Sequence, residues 1–299
     1  MTSIEFEPSV PLGAAANLLR SARRHIAGAA TTLLRQPDLL LAWVVLLLVV
    51  LATLRPELFT DADPLRGTAK LRLQPPGAEF WFGTDQMGRD LFARVVYGTG
   101  ESVRAVVIAV LVGLIAGSGI GLLAGYVGRW VDDVLMRVMD VFLAVPTLLI
   151  ALAVINALGF GTVNIAIAVG IGTIAIFARV MRAEVLKVRS LPYIEATAFS
   201  GISRWRLITR HLVPNAAGPV LVLATLELGM AILSVSALSF LGFGAPPPAP
   251  EWGLLVAGGR DYMRTAWWLT TLPGLVIVIS VVSANRVARS FDRRQSETF

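Results

Sequence analysis

The sequence contains no cysteine, only two histidines and only two lysines in 299 residues, and just 15% of its residues are charged. Without cysteine there is no disulfide, no thiolate metal site and no cysteine nucleophile. With Lys70 and Lys187 as the only lysines, no Gly-x-x-x-x-Gly-Lys-Ser/Thr loop can be written, so no nucleotide-binding signature of that type is present. Soluble domains carry roughly 25% charged residues. A chain that is 56% hydrophobic, with mean hydropathy +0.72, therefore reads as an integral membrane protein. The net charge of +6 invites a nucleic-acid reading. The arginines, however, flank apolar runs, and that placement serves membrane orientation rather than nucleic acid.

A bilayer requires spans of about twenty apolar residues. They are expected near 39–55, 102–125, 135–158, 162–182, 217–241 and 267–287. Six spans put both termini on one side. The segments on that side carry 17 of the 26 Lys and Arg residues against 9 on the other, which predicts cytoplasmic termini. The division is a cytoplasmic segment 1–38, a first span with an external segment 39–101, a core 102–290 and a cytoplasmic tail 291–299. In the first segment Leu12, Ala15, Leu19, Ala22, Ile26, Ala30 and Leu33 recur at helical spacing with arginines to one side. That pattern fits an amphipathic helix in the interface, or else a disordered basic tail. Leu39–Leu54 has no small-residue cleavage site behind it and reads as a retained signal-anchor.

Between two apolar runs lies a polar, basic island, 193–215, YIEATAFSGISRWRLITRHLVPN. The spacing predicts a short helix over 193–200, a left-handed stop at Gly201 and a side-chain cap at Ser203. A second helix follows, ended by Pro214. A helical elbow of this kind suits a groove on another protein, and spacing alone supports an ordinary amphipathic surface loop equally well.

Glu195-Ala196, Gly201, Ile208 and Pro214 resemble the EAA loop of bacterial ABC-importer permeases, with Thr197 in place of a second alanine. Tyr193 before the glutamate and Arg210-His211-Leu212-Val213-Pro214-Asn215 at the end are most similar to the dipeptide/oligopeptide/nickel branch. Phe82-Gly83-Thr84-Asp85 with Gly88-Arg89-Asp90 and Arg94, the stretch DVFLAVPTLLIAL, the stretch LSFLGFGAPPPAPEWG and the stretch AWWLTTLPGL resemble the same branch. The tail departs from it, with Ala288-Arg289 where a Gly-Asp pair is usual. The resemblance implies an all-α, six-span permease of the type I importer fold with a cytoplasmic coupling loop at 193–215. It implies ATPase contacts at Tyr193, Glu195, Ala196, Gly201, Arg210, His211 and Pro214. It further implies a second, homologous permease chain, two ATPase domains carrying ATP and Mg, an external substrate-binding protein, and a bacterial plasma-membrane location. The chain itself is then a transport subunit without catalytic or metal-binding residues, for di- or oligopeptides, with nickel or glutathione as the alternative.

Other features are read from the residues themselves. The mixed-charge stretch before the second span predicts an external helix continuous with that span, with Arg89 or Arg94 paired to Asp85 or Asp90. No histidine or metal-ligand cluster stands beside those carboxylates to make them catalytic. Gly113, Gly117, Gly121 and Gly125 form a small-residue packing face. Pro146 should bend the third span, Asp140 should find a local partner such as Arg137, and Trp252, Trp267 and Trp268 should mark an aromatic belt. A stand-alone secondary transporter would need a relay of intramembrane ionisable groups. Only Glu227 lies mid-span, in a position either to line a pathway or to bond a neighbouring helix, while the branch's usual acid falls at Val235.

Overall fold

A computed structural model describes residues 36–296, and these are mainly helical. Among the described residues the only extended pairing is an isolated bridge between Thr84 and Asp90. In chain order the helices are α1 (Pro37–Leu54), α2 (Leu91–Val127), α3 (Arg129–Ala144), α4 (Thr147–Leu158), α5 (Thr162–Arg189), α6 (Pro192–Phe199), α7 (Arg204–Leu207), α8 (Val213–Phe240), α9 (Trp252–Gly259) and α10 (Trp268–Ser296). Among the described residues five stretches are long and apolar enough to cross a membrane: α1, α2, α5, the run from α7 through α8, and α10. The α3–α4 pair supplies a sixth only if both halves are taken as one span. The amphipathic helix expected over Leu12–Leu33 lies outside the described residues.

The 37 residues of α2 are about 55 Å long at 1.5 Å per residue, well beyond a hydrocarbon core of about 30 Å. The surplus is the helical stretch expected ahead of, and continuous with, the second span. Asp90 starts it by accepting from the backbone N–H of Phe92 and Ala93, at 2.8 and 3.3 Å. Further along, the glycine face packs on α5. A Cβ at Gly117 would stand 2.5 Å from Ile174 O and 2.6 Å from Phe177 Cβ, whereas Gly119 on the opposite side faces open space. Close backbone approach is what this face provides, and van der Waals packing of that kind is what joins helices in lipid.

The third expected span is not a bent helix but a broken one. α3 and α4 meet at 96°. Proline disfavours helical dihedrals in the residue before it, and Val145 accordingly sits extended at φ −97°, ψ 130°. Asp140 does not pair with Arg137. The face carrying Asp132, Met136, Met139 and Asp140 lies on α5, so Asp132 takes Arg182 through two 2.5 Å bonds and Asp140 takes Arg179 at 2.5 Å. Arg137, about 140° round the helix from Asp132, is exposed.

The tryptophans also correct an expectation. Trp267 is exposed, but Trp252 and Trp268 are buried, at 1% and 5% exposure. Trp252 Nε1 donates to Val95 O at 3.1 Å, and Trp268 Nε1 donates to Thr84 O at 3.3 Å. The segment leading into α2 and the first turns of α2 supply the carbonyl acceptors, which lets these rings enter a core with Leu91, Leu255 and Leu269.

Candidate functional site: the elbow and the bundle stripe

The elbow between α5 and α8 begins as the sequence predicts. Pro192 opens α6, and Gly201 stops it with φ +77°, a left-handed value that glycine adopts without strain. Ser203 then accepts from Arg206 N at 3.4 Å. Pro214 does not end the second helix. Residues 208–212 form a π-turn, closed by Val213 N–H donating to Ile208 O, and the helix runs on through Pro214 to Phe240. The wider turn leaves room for a residue that has no N–H to donate and whose ring would crowd the Arg210 carbonyl. Asn215 Nδ2 supplies a donor to His211 O nearby, at 2.5 Å.

Three side chains anchor the elbow. Ile194, Leu207 and Leu212 are buried in the main core with Val185 and Val188. The opposite face is offered outward. Phe199 is 91% exposed, Trp205 75% and Tyr193 47%. Glu195, Ala196, Gly201, Arg210 and Pro214 are exposed as well, and His211 is half-buried. Thus the residues expected to couple lie on one elbow whose opposite face is buried in the core. Phe199 and Trp205 are exposed on the same elbow. The signal for both was available, since large aromatics stand there inside a polar island.

Glu227 lies elsewhere, on α8. At roughly 100° per residue, Val220, Ala224, Glu227, Ala231, Val235 and Leu238 fall within about 80° of one another. The other five are buried in the core that α8 shares with α2 and α5. Glu227 therefore shares the bundle-facing stripe and is half-buried there, with no hydrogen bond or ion pair among the described residues. Val235, on the same stripe, is 1% exposed.

The charge cluster ahead of α2 pairs as expected, through Asp85. Arg89 Nε donates to Asp85 Oδ2 at 2.6 Å, while Asp85 Oδ1 accepts from the N–H of Met87 and Arg89. Asp90 is occupied in capping α2. One buried acid escaped the sequence reading. Glu251, 1% exposed, accepts from Ser239 Oγ at 2.5 Å and from Ala245 N at 3.5 Å, tying the proline loop to the end of α8. An acid directly before a helix start was the one signal for it. Among the described residues no His, Asp or Glu group is arranged to hold a metal ion.

Comparison with known proteins agrees with this architecture. Residues 117–297 match the family of binding-protein-dependent transport system inner membrane components. The chain is 40% identical to the dipeptide transport system permease protein DppC of Alkalihalophilus pseudofirmus over 238 residues, covering 80% of this chain and 78% of that one. It is 39% identical to the glutathione transport system permease protein GsiD of Pectobacterium atrosepticum, covering 70% of each. The fold resembles the MetNI methionine ABC transporter in its inward-facing conformation, with TM-score 0.52 at 17% identity, covering 66% of this chain and 96% of that one. An apolar helical bundle with one broken helix pair and a solvent-exposed elbow, on a sequence this similar, leads to one assignment: the chain belongs to the binding-protein-dependent transport system inner membrane component family, the permease subunits of ABC importers.

Proposed function

We propose that this permease serves an importer of di- or oligopeptides and is driven through its elbow by a separate ATPase chain. The observation that carries the coupling role is the two-sided elbow, with Ile194, Leu207 and Leu212 held in the core and Phe199, Trp205 and Tyr193 held out. Exposed aromatics on a rigid support are what a docked helix uses to fill a groove. Glu195 is the one acid between Tyr193 and Asn215. In this reading it meets a donor on the ATPase, and Arg210 and His211 contact the same surface. The partner supplies ATP and Mg. A second permease chain completes the pathway, an external binding protein delivers substrate, and both termini and the elbow face the cytoplasm of a bacterial inner membrane.

The peptide assignment rests on the relatives, several of which are named as dipeptide or peptide permeases at 38–40% identity. A glutathione permease among them keeps that tripeptide as the second reading. In the pathway, Glu227 offers a carboxylate to the free amine of a passing peptide.

Two linked measurements test this. The tagged chain, purified gently, should bring with it an ATPase and a second permease. ATP hydrolysis by that complex should then rise with binding protein loaded with dipeptide, and not with nickel-loaded protein. A chain that purifies without an ATPase contradicts the coupling role, and stimulation by nickel or glutathione alone contradicts the peptide reading.

A further inference from the structure

The external face carries a buried charge cluster whose signs do not balance. Arg89 and Arg94 are 7% and 4% exposed, and they share one carboxylate, Asp85, itself 4% exposed. Arg94 Nε lies 3.6 Å from Asp85 Oδ2 and makes no hydrogen bond. The nearby acids are engaged elsewhere: Asp90 by the N-terminus of α2, Glu251 by Ser239 and Ala245. One positive charge is left over in a place largely shut off from water, where an unbalanced charge is costly.

The two guanidiniums are not equivalent. Arg94 donates its terminal nitrogens to Pro64 O at 3.0 Å and Pro248 O at 3.5 Å, fastening the external segment to the proline loop. Arg89 spends only Nε, on Asp85, and its two terminal nitrogens make no hydrogen bond among the described residues. Both arginines line a cavity of about 220 Å³, with Gln86 beside them and Leu254 and Leu269 among its apolar walls. That is smaller than the roughly 300–1,000 Å³ of pockets that enclose a whole drug-sized ligand. It is large enough for one end of one.

We propose that this cavity is a carboxylate site. It takes the free C-terminal carboxylate of a small ligand on the terminal nitrogens of Arg89, with the ligand's last side chain against Leu254 and Leu269. A planar guanidinium edge matches a carboxylate in a way an ammonium does not. The incoming negative charge also balances the trio to two positive and two negative. The site stands apart from the elbow and does not depend on peptide being the transported substrate.

The test uses the purified full chain in nanodiscs, with acetate, the dipeptide alanyl-leucine and the C-terminal amide of that dipeptide as probes. Saturable binding of the dipeptide is expected, with competition by acetate and at least tenfold weaker binding of the amide. Arg89→Gln should cost a similar factor, and Arg89→Lys less, because it keeps the charge and loses the flat donor edge. Should Arg89→Gln lose its melting transition, Leu254→Trp serves instead: it fills the cavity, leaves all three charges in place, and should abolish dipeptide binding with the melt retained. Equal binding of acid and amide, or dipeptide binding that survives Leu254→Trp, overturns the proposal. Acetate binding without dipeptide binding overturns it too, since the site is then one for a bare ion.

Discussion

Glu251 is a carboxylate with almost no access to water, in the proline loop after α8 and outside the spanning helices. Desolvation raises its pKa, hydrogen bonds from Ser239 and Ala245 pull the other way, and Glu101 adds a smaller upward push. A carboxyl that holds its proton more tightly folded than unfolded costs stability as pH rises above its ordinary value of 4.5, with the full cost present above the raised pKa. The melting temperature should therefore climb as pH is lowered from neutral toward 4.5, and Glu251→Gln should flatten that part of the curve. A curve of equal slope in the mutant assigns the dependence to other groups. Glu227 permits a separate test. Glu227→Gln keeps the shape and removes the charge. If the carboxylate meets the substrate amine, peptide uptake at low concentration falls about tenfold, equivalent to about 1.4 kcal/mol, while complex yield and melting stay normal. Unchanged uptake makes Glu227 a packing residue of the stripe.

At the scale of the element, the helix interfaces give sharper tests. Gly117→Leu drives a side chain into Ile174 O and Phe177, and overpacking of that kind costs about 1–3 kcal/mol or more. Gly119→Leu on the same helix points into open space and should melt like the wild type. Local chemistry accounts for how much of each element was legible beforehand. Gly201 and Ser203 act through their own backbone and their immediate neighbours, so the stop and cap were readable from spacing. The four-residue glycine repeat likewise declared a packing face. Pro214 misled because its effect depends on the turn before it, and a π-turn at 208–212 absorbs the ring. Pro146 was recognised as a disruption, but the 96° angle depends on what α3 and α4 pack against. The partners of Asp132 and Asp140 lie 50 and 39 positions away. The burial of Trp252 and Trp268 likewise depends on carbonyls at Val95 and Thr84, more than 150 positions away. No local pattern encodes such contacts.

For the whole molecule, the family, the helical architecture and the position of the elbow follow from hydropathy and from five separate stretches that resemble one family. The pathway is less legible, because in this reading half of it belongs to another chain. Sidedness can be read directly, since the chain has no cysteine of its own. A cysteine at Ser203 should be labelled from the cytoplasm only and one at Ala249 from outside only. Labelling of both from one side contradicts the orientation. The claim on which the rest turns is that the elbow carries the ATPase stroke to the spans. Gly201 is the place to break that link, because any residue with a Cβ opposes its φ of +77° at a cost of roughly 1–2 kcal/mol, while no neighbouring atom lies within 4 Å to be displaced. The deciding measurement is peptide uptake and ATP hydrolysis by the reconstituted complex carrying Gly201→Leu, at matched membrane content. The account predicts a chain that inserts at the wild-type level yet neither imports peptide nor shows stimulation of ATP hydrolysis by loaded binding protein. Uptake at the wild-type rate in that mutant would contradict it.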